Sequence, residues 1–257
     1  MVIITEELRA EAKKRLIVAL DVPGKREAFN FIRLLQDKAG AYKIGMQLYN
    51  SEGPQLVEYI GLFGGQVFVD LKFHDIPNTV AEAAKVMVDK GAFMCTLHAS
   101  GGSKMLTAAA QAAREEAAQL NCRRPLLLGV TVLTSTSQQQ FNEEMGLKGP
   151  ICDRVVYLSQ MAQKSGLDGV ICSPQEITAI RKACGKDFLI VTPGVRPTWA
   201  GKDDQARVLT PREAIASGAD YLVIGRPITK AADHADAAGR IIDEIALGLA
   251  DREQEAR

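Results

Sequence analysis

The sequence predicts a single-domain (β/α)8 barrel. Eight short apolar runs recur along the 257 residues, and segments with helical punctuation separate them. Successive runs begin roughly 29 residues apart, which is the size of one strand together with one helix. Eight such units in a chain of this length fit one barrel without a linker. We expect residues 1–257 to form one domain, with residues 1–14 as a short N-terminal extension.

The predicted strands are rich in aliphatic and β-branched residues. They are apolar throughout rather than alternating, which is typical of parallel strands that are covered on both faces. In chain order they are LIVALD (16–21), AYKIG (41–45), QVFVDL (66–71), FMCTLH (93–98), LLLGVTV (126–132), DGVICS (168–173), FLIVT (188–192) and DYLVIG (220–225).

Proline and glycine mark the predicted helices between these strands, because proline favours the first helical turn and glycine the residue after the last. The expected starts are Pro77, Pro174 and Pro211, and the expected ends are Gly91, Gly166 and Gly218. The main alternative fold is a doubly wound open sheet. Its GxGxxG fingerprint is missing after the first strand, where the sequence reads LDVPGKRE. The barrel is therefore the better prediction.

Composition excludes several classes of function. Lys and Arg number 31, Asp and Glu number 31, and this formal net charge of zero argues against binding to nucleic acid or to an anionic membrane. The N-terminal MVIITEELRAEAKKR is charged where a signal peptide is apolar, and no apolar run is long enough to span a bilayer. Five cysteines without a CxxC pair indicate reduced packing residues: Cys95, Cys122, Cys152, Cys172 and Cys184. We expect a cytoplasmic protein.

Charged residues gather at the ends of the first three predicted strands. Asp21 ends the first run and Lys43 lies near the end of the second, while Asp70, Lys72 and Asp75 follow one another at the third. Because strand side chains alternate, Asp70 and Lys72 are expected to point to the same side. Any one of these charges could be a solvated loop residue or a structural ion pair. Together, at the face where such barrels carry their active sites, they predict a charged site.

Glycine and arginine follow the last two strands. Gly194 and Arg196 come after the seventh run, and Gly225 and Arg226 come after the eighth. These loops usually bind phosphate in this fold, since glycine exposes backbone N–H groups and arginine offers a bidentate fork. Ordinary turn glycines are the alternative. Two such clusters at the two expected places favour phosphate binding.

Metal and cofactor motifs are missing from the sequence. There is no HExxH, no His/Cys cluster and no paired-glycine dinucleotide fingerprint, so neither a metal nor a nicotinamide or flavin cofactor is predicted. His74 lies in the charged loop and His98 ends the fourth strand, and their roles stay open. The long polar connections after the fifth and seventh strands are typical of lids or binding loops.

Six segments resemble the orotidine 5′-phosphate decarboxylase family. They are ALD (19–21), KIG (43–45), DLKFHDIPNT (70–79), TVLTS (131–135), TPGVRP (192–197) and VIGRP (223–227). The ten-residue segment is highly specific, the order and spacing are comparable, and the resemblance spans nearly the whole chain. It implies that orotidine monophosphate loses CO₂ to give uridine monophosphate in de novo pyrimidine biosynthesis, without a metal or a cofactor.

The resemblance also implies a role for each candidate residue. Lys72 would be the general acid that protonates C6, in a network with Lys43, Asp70 and Asp75. Asp75 would reach into the neighbouring site of a homodimer whose active sites are shared. The implied substrate contacts are Asp21 to ribose hydroxyls, Thr79 from the partner subunit, Thr134 or Ser135 to the pyrimidine, and Gln205, Arg226 and the Gly225 amide to the phosphate with Arg196 alongside.

One loop and two rival functions complete the expectations. Residues 197–206 contain Pro197, Gly201 and the polar run GKDDQ, and we expect them to close over the site. Sugar-phosphate decarboxylases and hexulose-phosphate aldolases of the same barrel group share a DxKxxD motif but use Mg²⁺. They have a glutamate metal ligand near the end of the second strand, where this chain has Lys43. A catalytically silent phosphonucleotide-binding barrel would have lost Lys72 or an aspartate partner, and all are present.

Overall fold

A computed structural model describes residues 4–200 and 209–255 of the chain. Its eight strands are ordered β1-β2-β3-β4-β5-β6-β7-β8 in a closed barrel, which confirms the predicted fold class. The strands are β1 Leu16–Ala19, β2 Ala41–Gly45, β3 Val67–Phe73, β4 Met94–His98, β5 Leu126–Val130, β6 Gly169–Ile171, β7 Leu189–Pro193 and β8 Tyr221–Ile224. Every predicted apolar run overlaps one of them, and β3 and β7 extend past their predicted ends to Phe73 and Pro193.

Twelve α-helices lie within the described residues. They are α1 Glu6–Arg15, α2 Lys25–Leu35, α3 Met46–Glu52, α4 Gln55–Leu62, α5 Pro77–Asp89, α6 Gly102–Gln119, α7 Gln138–Glu143, α8 Ile151–Lys164, α9 Ile177–Cys184, α10 Pro211–Ala216, α11 Arg226–Thr229 and α12 His234–Glu255. Two 3₁₀ helices, Ala99–Gly101 and Pro174–Glu176, precede α6 and α9. Pro77 and Pro211 are the first residues of their helices, as predicted.

Two compact units share the chain, and residues Met1–Asp70 with Gly194–Arg257 form the first. In this unit β1 pairs in parallel with both β2 and β8, and β2 pairs with β3. Part of the predicted N-terminal extension is helix α1, which Thr5 caps by accepting a hydrogen bond from the Leu8 amide at 3.2 Å. Helices α1 and α10 both pack against α12.

The second unit is Leu71–Pro193. Here β4, β5, β6 and β7 pair in parallel in that order. Asp168, just before β6, accepts two hydrogen bonds from Arg124 at 2.6 and 2.7 Å and one from the Leu127 amide at 2.8 Å. This bidentate pair fixes the start of β5 against the start of β6.

The long connection after β5 contains a helix that was not predicted. Ser137 caps α7 by accepting from the Gln140 amide at 3.1 Å, and Gln140 Oε1 accepts from the Ser137 amide at 3.1 Å. Phe141 of this helix is fully buried. The connection is therefore a packed segment with its own capping box, not a bare loop.

The cysteines only partly match their predicted packing role. All five are free, and Cys95, Cys172 and Cys184 are buried whereas Cys122 is exposed. Burial raises the pKa of the Cys95 thiol to about 12, so this thiol is unreactive at neutral pH. For Cys122 the packing prediction is wrong, because it lies in the turn that follows α6.

The buried carboxyl of Glu176 should make the free energy of unfolding depend on pH. Burial raises the pKa of this carboxyl from 4.5 to about 7, against hydrogen bonds with Ser173 that lower it. A carboxyl with a raised pKa in the folded state stabilises the fold at low pH, and this contribution is lost as the pH rises from about 4.5 to about 7. Relative to Glu176→Gln, we expect the wild-type protein to lose on the order of 2 kcal/mol of unfolding free energy between pH 5 and pH 8.

Urea unfolding at the two pH values measures this difference. Exposed Glu144 offers a matched control, since Glu144→Gln removes the same charge from a solvated site. An equal pH dependence for wild type and Glu176→Gln would contradict the prediction.

Across residues 4–200 and 209–255, no helix combines the length and the apolarity that crossing a membrane requires.

Candidate active site

Lys43 lies between two carboxylates in the first unit. Its Nζ is 3.1 Å from Asp21 Oδ1 and 3.6 Å from Asp70 Oδ2. The side chains of Lys43 and Asp70 are only 12% and 16% exposed, whereas that of Asp21 is 66% exposed. The ammonium is thus a mostly buried cation with one carboxylate beside it in the barrel wall and another at its open side.

Strand pairing brings these three residues together. The Leu20 amide donates to the Lys43 carbonyl at 2.9 Å, which places Asp21 just past the end of β1 and next to β2. In the β2–β3 register, Gly45 pairs with Asp70. A Cβ at Gly45 would lie 3.4 Å from Lys43 Nζ and 3.6 Å from Asp21 Oδ1. Glycine at this position therefore leaves the space over the charged pair open.

The predicted phosphate residues belong to the same unit. A Cβ at Gly225 would lie 3.3 Å from Ala19 Cβ and 3.8 Å from Asp21 Oδ2, so the end of β8 lies beside Asp21. Arg226 is exposed at the start of α11. Arg196 is half-buried, and its amide donates to the Leu209 carbonyl at 3.0 Å.

Only the beginning of the predicted closing loop can be described. The Ala200 amide donates to the Pro197 carbonyl at 3.0 Å, and the Arg240 guanidinium lies 4.2 Å from the centre of the Trp199 ring. This cation–π contact holds residues 197–200 against α12. Gln205 and residues 201–206 of the predicted loop lie outside the described residues.

Lys72 has an unusual backbone conformation. Its φ is 54°, in the left-handed region, which costs a residue with a side chain roughly 1–2 kcal/mol. Its amide donates to Thr96 Oγ1 of β4 at 2.9 Å. The prediction that Asp70 and Lys72 point to the same side assumed an extended backbone up to Lys72. Because Lys72 is not extended, the alternation of side chains along a strand does not determine the direction of its ammonium group.

Two histidines lie near Lys72 in the second unit. The His74 and His98 ring centres are 5.3 Å apart, and His98 Nδ1 is 3.1 Å from Ser100 Oγ. Burial lowers the pKa of His98, and the charges of His74 and Lys72 lower it further. A neutral His98 at the end of β4 therefore adds no positive charge beside the Lys72 ammonium at physiological pH.

The remaining predicted site residues are exposed. Asp75 and Thr79 flank the start of α5, and Asp75 Oδ1 accepts a hydrogen bond from the Ile76 amide at 2.6 Å. Thr134 and Ser135 occupy a turn closed by a 2.9 Å hydrogen bond from the Thr136 amide to the Leu133 carbonyl. Asp75 follows the end of β3, Thr79 lies in the first turn of α5, and Thr134 and Ser135 follow β5.

Comparison with known proteins decides the family. A sequence profile described as "Orotidine 5'-phosphate decarboxylase / HUMPS family" matches residues 14–241, most of the chain. The chain belongs to this family. The orotidine 5′-phosphate decarboxylase / HUMPS family is the one that the DLKFHDIPNT segment and its companions indicated.

Individual relatives of the family agree with the profile. Proteins named orotidine 5′-phosphate decarboxylase from Heliobacterium modesticaldum and Syntrophomonas wolfei are 53% and 51% identical, over 94% and 91% of this chain and 100% and 99% of theirs. A crystal structure of orotidine 5′-phosphate decarboxylase from Lactobacillus acidophilus is similar with a TM-score of 0.80 at 37% identity, covering 90% of this chain and 98% of that one. This chain therefore spans nearly the full length of these family members.

One residue of interest was missed from the sequence. Thr96 is fully buried in β4, and its hydroxyl accepts a hydrogen bond from the Lys72 amide. Its place in the apolar run FMCTLH predicts only a buried strand residue. The available signal was a lone hydroxyl in the middle of a buried strand, since such a group is costly unless it has a partner.

Proposed function

We propose that this member of the family decarboxylates orotidine 5′-phosphate to uridine 5′-phosphate in de novo pyrimidine biosynthesis. The proposal rests mainly on the charged residues of β3. Asp70 contacts the mostly buried Lys43, and Lys72 follows two residues later in the same strand. The names of the similar full-length relatives give the substrate.

The chemistry explains why a lysine is needed. When the C6–carboxylate bond breaks, CO₂ leaves and the electron pair stays at C6 in an orbital lying in the ring plane, where the ring's π system cannot delocalise it. A cation in that plane stabilises the developing charge, and the same ammonium then gives C6 its proton. The neutral amine regains a proton from solvent, so the enzyme is unchanged and no oxidant, metal or cofactor is consumed.

We assign that role to Lys72 and supporting roles to its charged neighbours. Asp70 would repel the substrate carboxylate, by about 4 kcal/mol for unit charges about 4 Å apart at an effective dielectric constant of about 20. Lys43, held between Asp70 and Asp21, keeps the two carboxylates in fixed positions. Asp21 would bind ribose hydroxyls, and Thr134 or Ser135 the pyrimidine.

Phosphate binding is proposed for Gly225, Arg226, Arg196 and Gln205. Binding energy from this remote group can offset the repulsion at the reacting carbon. The position of Gly225 beside Asp21 supports a ribose phosphate entering along the ends of β1 and β8.

A shared-site homodimer is part of the proposal. Asp75 and Thr79 are exposed at the start of α5, and the apolar Ile76 between them is 67% exposed. We propose that this edge contacts the partner subunit, that the chain is one domain, and that the enzyme is cytoplasmic.

Lys43 argues against the Mg²⁺-dependent alternative. Its ammonium already lies between the Asp21 and Asp70 carboxylates, in the region where a sugar-phosphate enzyme would need a divalent cation and a further carboxylate. Within the described part of the chain, no group of three His, Cys, Asp or Glu side chains is arranged to hold a metal ion.

Incubation with orotidine monophosphate in EDTA tests the proposed function. We expect the orotate absorbance to disappear and uridine monophosphate to form at the same rate with and without EDTA. A strict requirement for Mg²⁺ would favour the sugar-phosphate alternative. Binding of the nucleotide without turnover would favour the silent phosphonucleotide-binding barrel.

A further inference from the structure

We propose that Thr96 is a positioning residue for Lys72. Its buried hydroxyl accepts the Lys72 amide and holds the left-handed backbone from which the ammonium extends. This inference rests on the proposed function, in which that ammonium stabilises and protonates C6. Thr96 itself would touch neither substrate nor reacting atoms.

The first observation is that the conformation of Lys72 needs support. Within residues 4–200 and 209–255, Lys72 and Asn121 are the residues other than glycine with positive φ. Asn121 follows α6 in a turn, and asparagine is a residue that takes this conformation readily. Lysine has no such preference, so the surrounding structure must impose the conformation on Lys72.

The second observation is that Thr96 is placed to impose it. Thr96 is fully buried in β4 between Cys95 and Leu97, which are also fully buried. A hydroxyl in such a strand is unfavourable unless it forms hydrogen bonds. Thr96 Oγ1 lies 2.9 Å from the Lys72 amide nitrogen. The β4 strand thus presents a fixed acceptor to the Lys72 N–H group, and φ sets the direction of that group relative to the side chain of Lys72.

Backbone geometry at this position matters for catalysis because the side chain of Lys72 is long. The dihedral angles of Lys72 set the direction of its Cα–Cβ bond, and any rotation there is amplified at Nζ. A displacement of about 1 Å at a catalytic group costs on the order of 10²-fold in rate. If the amide lost its acceptor, Lys72 would relax towards an ordinary conformation and the ammonium would leave the ring plane of the substrate.

The test compares Thr96→Val, Thr96→Ser and Thr131→Val by kcat and KM for orotidine monophosphate. Val keeps the shape of Thr96 without the acceptor, and Ser keeps the acceptor. Thr131 is a matched control, because it is also buried and its hydroxyl donates to the Ile171 carbonyl at 2.9 Å. We expect Thr96→Val to lower kcat by about 10- to 100-fold with KM within about 3-fold, and the other two variants to stay within about 3-fold of wild type.

Three outcomes would overturn the inference: an unchanged kcat in Thr96→Val, an equal loss in Thr131→Val, or an equal loss in Thr96→Ser. If Thr96→Val does not fold, Thr96→Cys replaces it, since a thiol is a weaker acceptor. An intermediate loss of kcat is then expected, and a wild-type kcat would overturn the inference.

A measurement without substrate separates this inference from the proposed function. Hydrogen exchange of the Lys72 amide, followed by NMR, should be slow in wild type and Thr96→Ser and at least about 10-fold faster in Thr96→Val. If the wild type fails to decarboxylate the nucleotide, the proposed function is wrong, and the exchange rates still decide whether Thr96 holds Lys72. Equal exchange in all three proteins would overturn the inference even in an active enzyme.

Discussion

Lys72→Ala should abolish decarboxylation, lowering kcat by at least about 10⁴-fold, because one change removes both the cation opposite the developing charge and the proton donor. The variant should remain folded. Alanine also carries a Cβ, so the left-handed backbone at φ 54° costs about the same in both proteins. Steady-state kinetics and thermal unfolding of the purified variant measure the two effects separately.

Lys164→Ala is the matched control for this prediction. Lys164 is exposed in the last turn of α8, and its loss should leave kcat and KM as in wild type. A Lys72→Ala protein that retains activity within about 100-fold of wild type would remove Lys72 from its assigned role.

Asp70→Asn should lower kcat by about 10²- to 10³-fold and should lower KM as well, so that kcat/KM changes less than kcat. The substitution preserves shape but removes the charge that repels the substrate carboxylate, and a repulsion of about 4 kcal/mol that is fully relieved in the transition state corresponds to about 10³-fold. A repulsion that is present in the bound ground state and relieved in the transition state affects kcat and KM in the same direction, because removing it strengthens substrate binding.

Asp21→Asn provides an internal comparison, because both carboxylates contact Lys43 Nζ. If Asp21 binds ribose hydroxyls, its loss should raise KM by about 10-fold and affect kcat less. Equal effects of the two variants on kcat and KM would mean that they act only through Lys43. That result would contradict the distinct roles assigned to Asp21 and Asp70.

The barrel was predictable because its signals are local and repeated. Each apolar run overlaps an observed strand, and the predicted charged residues lie at strand ends because barrels of this kind carry their active sites there. From the sequence, Lys43, Asp21 and Asp70 could be expected only to lie near one another, not to form particular contacts. Which carboxylate lies closer depends on strand register, as in the pairing of Gly45 with Asp70, and apolar patterns do not specify register between neighbouring parallel strands.

Other features escaped sequence reasoning for identifiable physical reasons. Ser137 and Gln140 form a capping box whose spacing was readable, but the polar composition of the connection suggested only a loop. The left-handed conformation of Lys72 was not readable, since residue type gives no reason to expect it. It is imposed by tertiary contacts such as the hydrogen bond to the Thr96 hydroxyl. Because of it, the alternation of strand side chains does not apply to Asp70 and Lys72.

The central claim is that Lys72 delivers a proton to C6 as CO₂ leaves. Wild type and Lys72→Ala can be incubated with orotidine monophosphate in D₂O containing EDTA, with the product followed by ¹H NMR. We predict that the wild type forms uridine monophosphate with deuterium at C6 while Lys72→Ala forms none. Failure of the wild type to form this product, or its formation at a comparable rate by Lys72→Ala, would contradict the account.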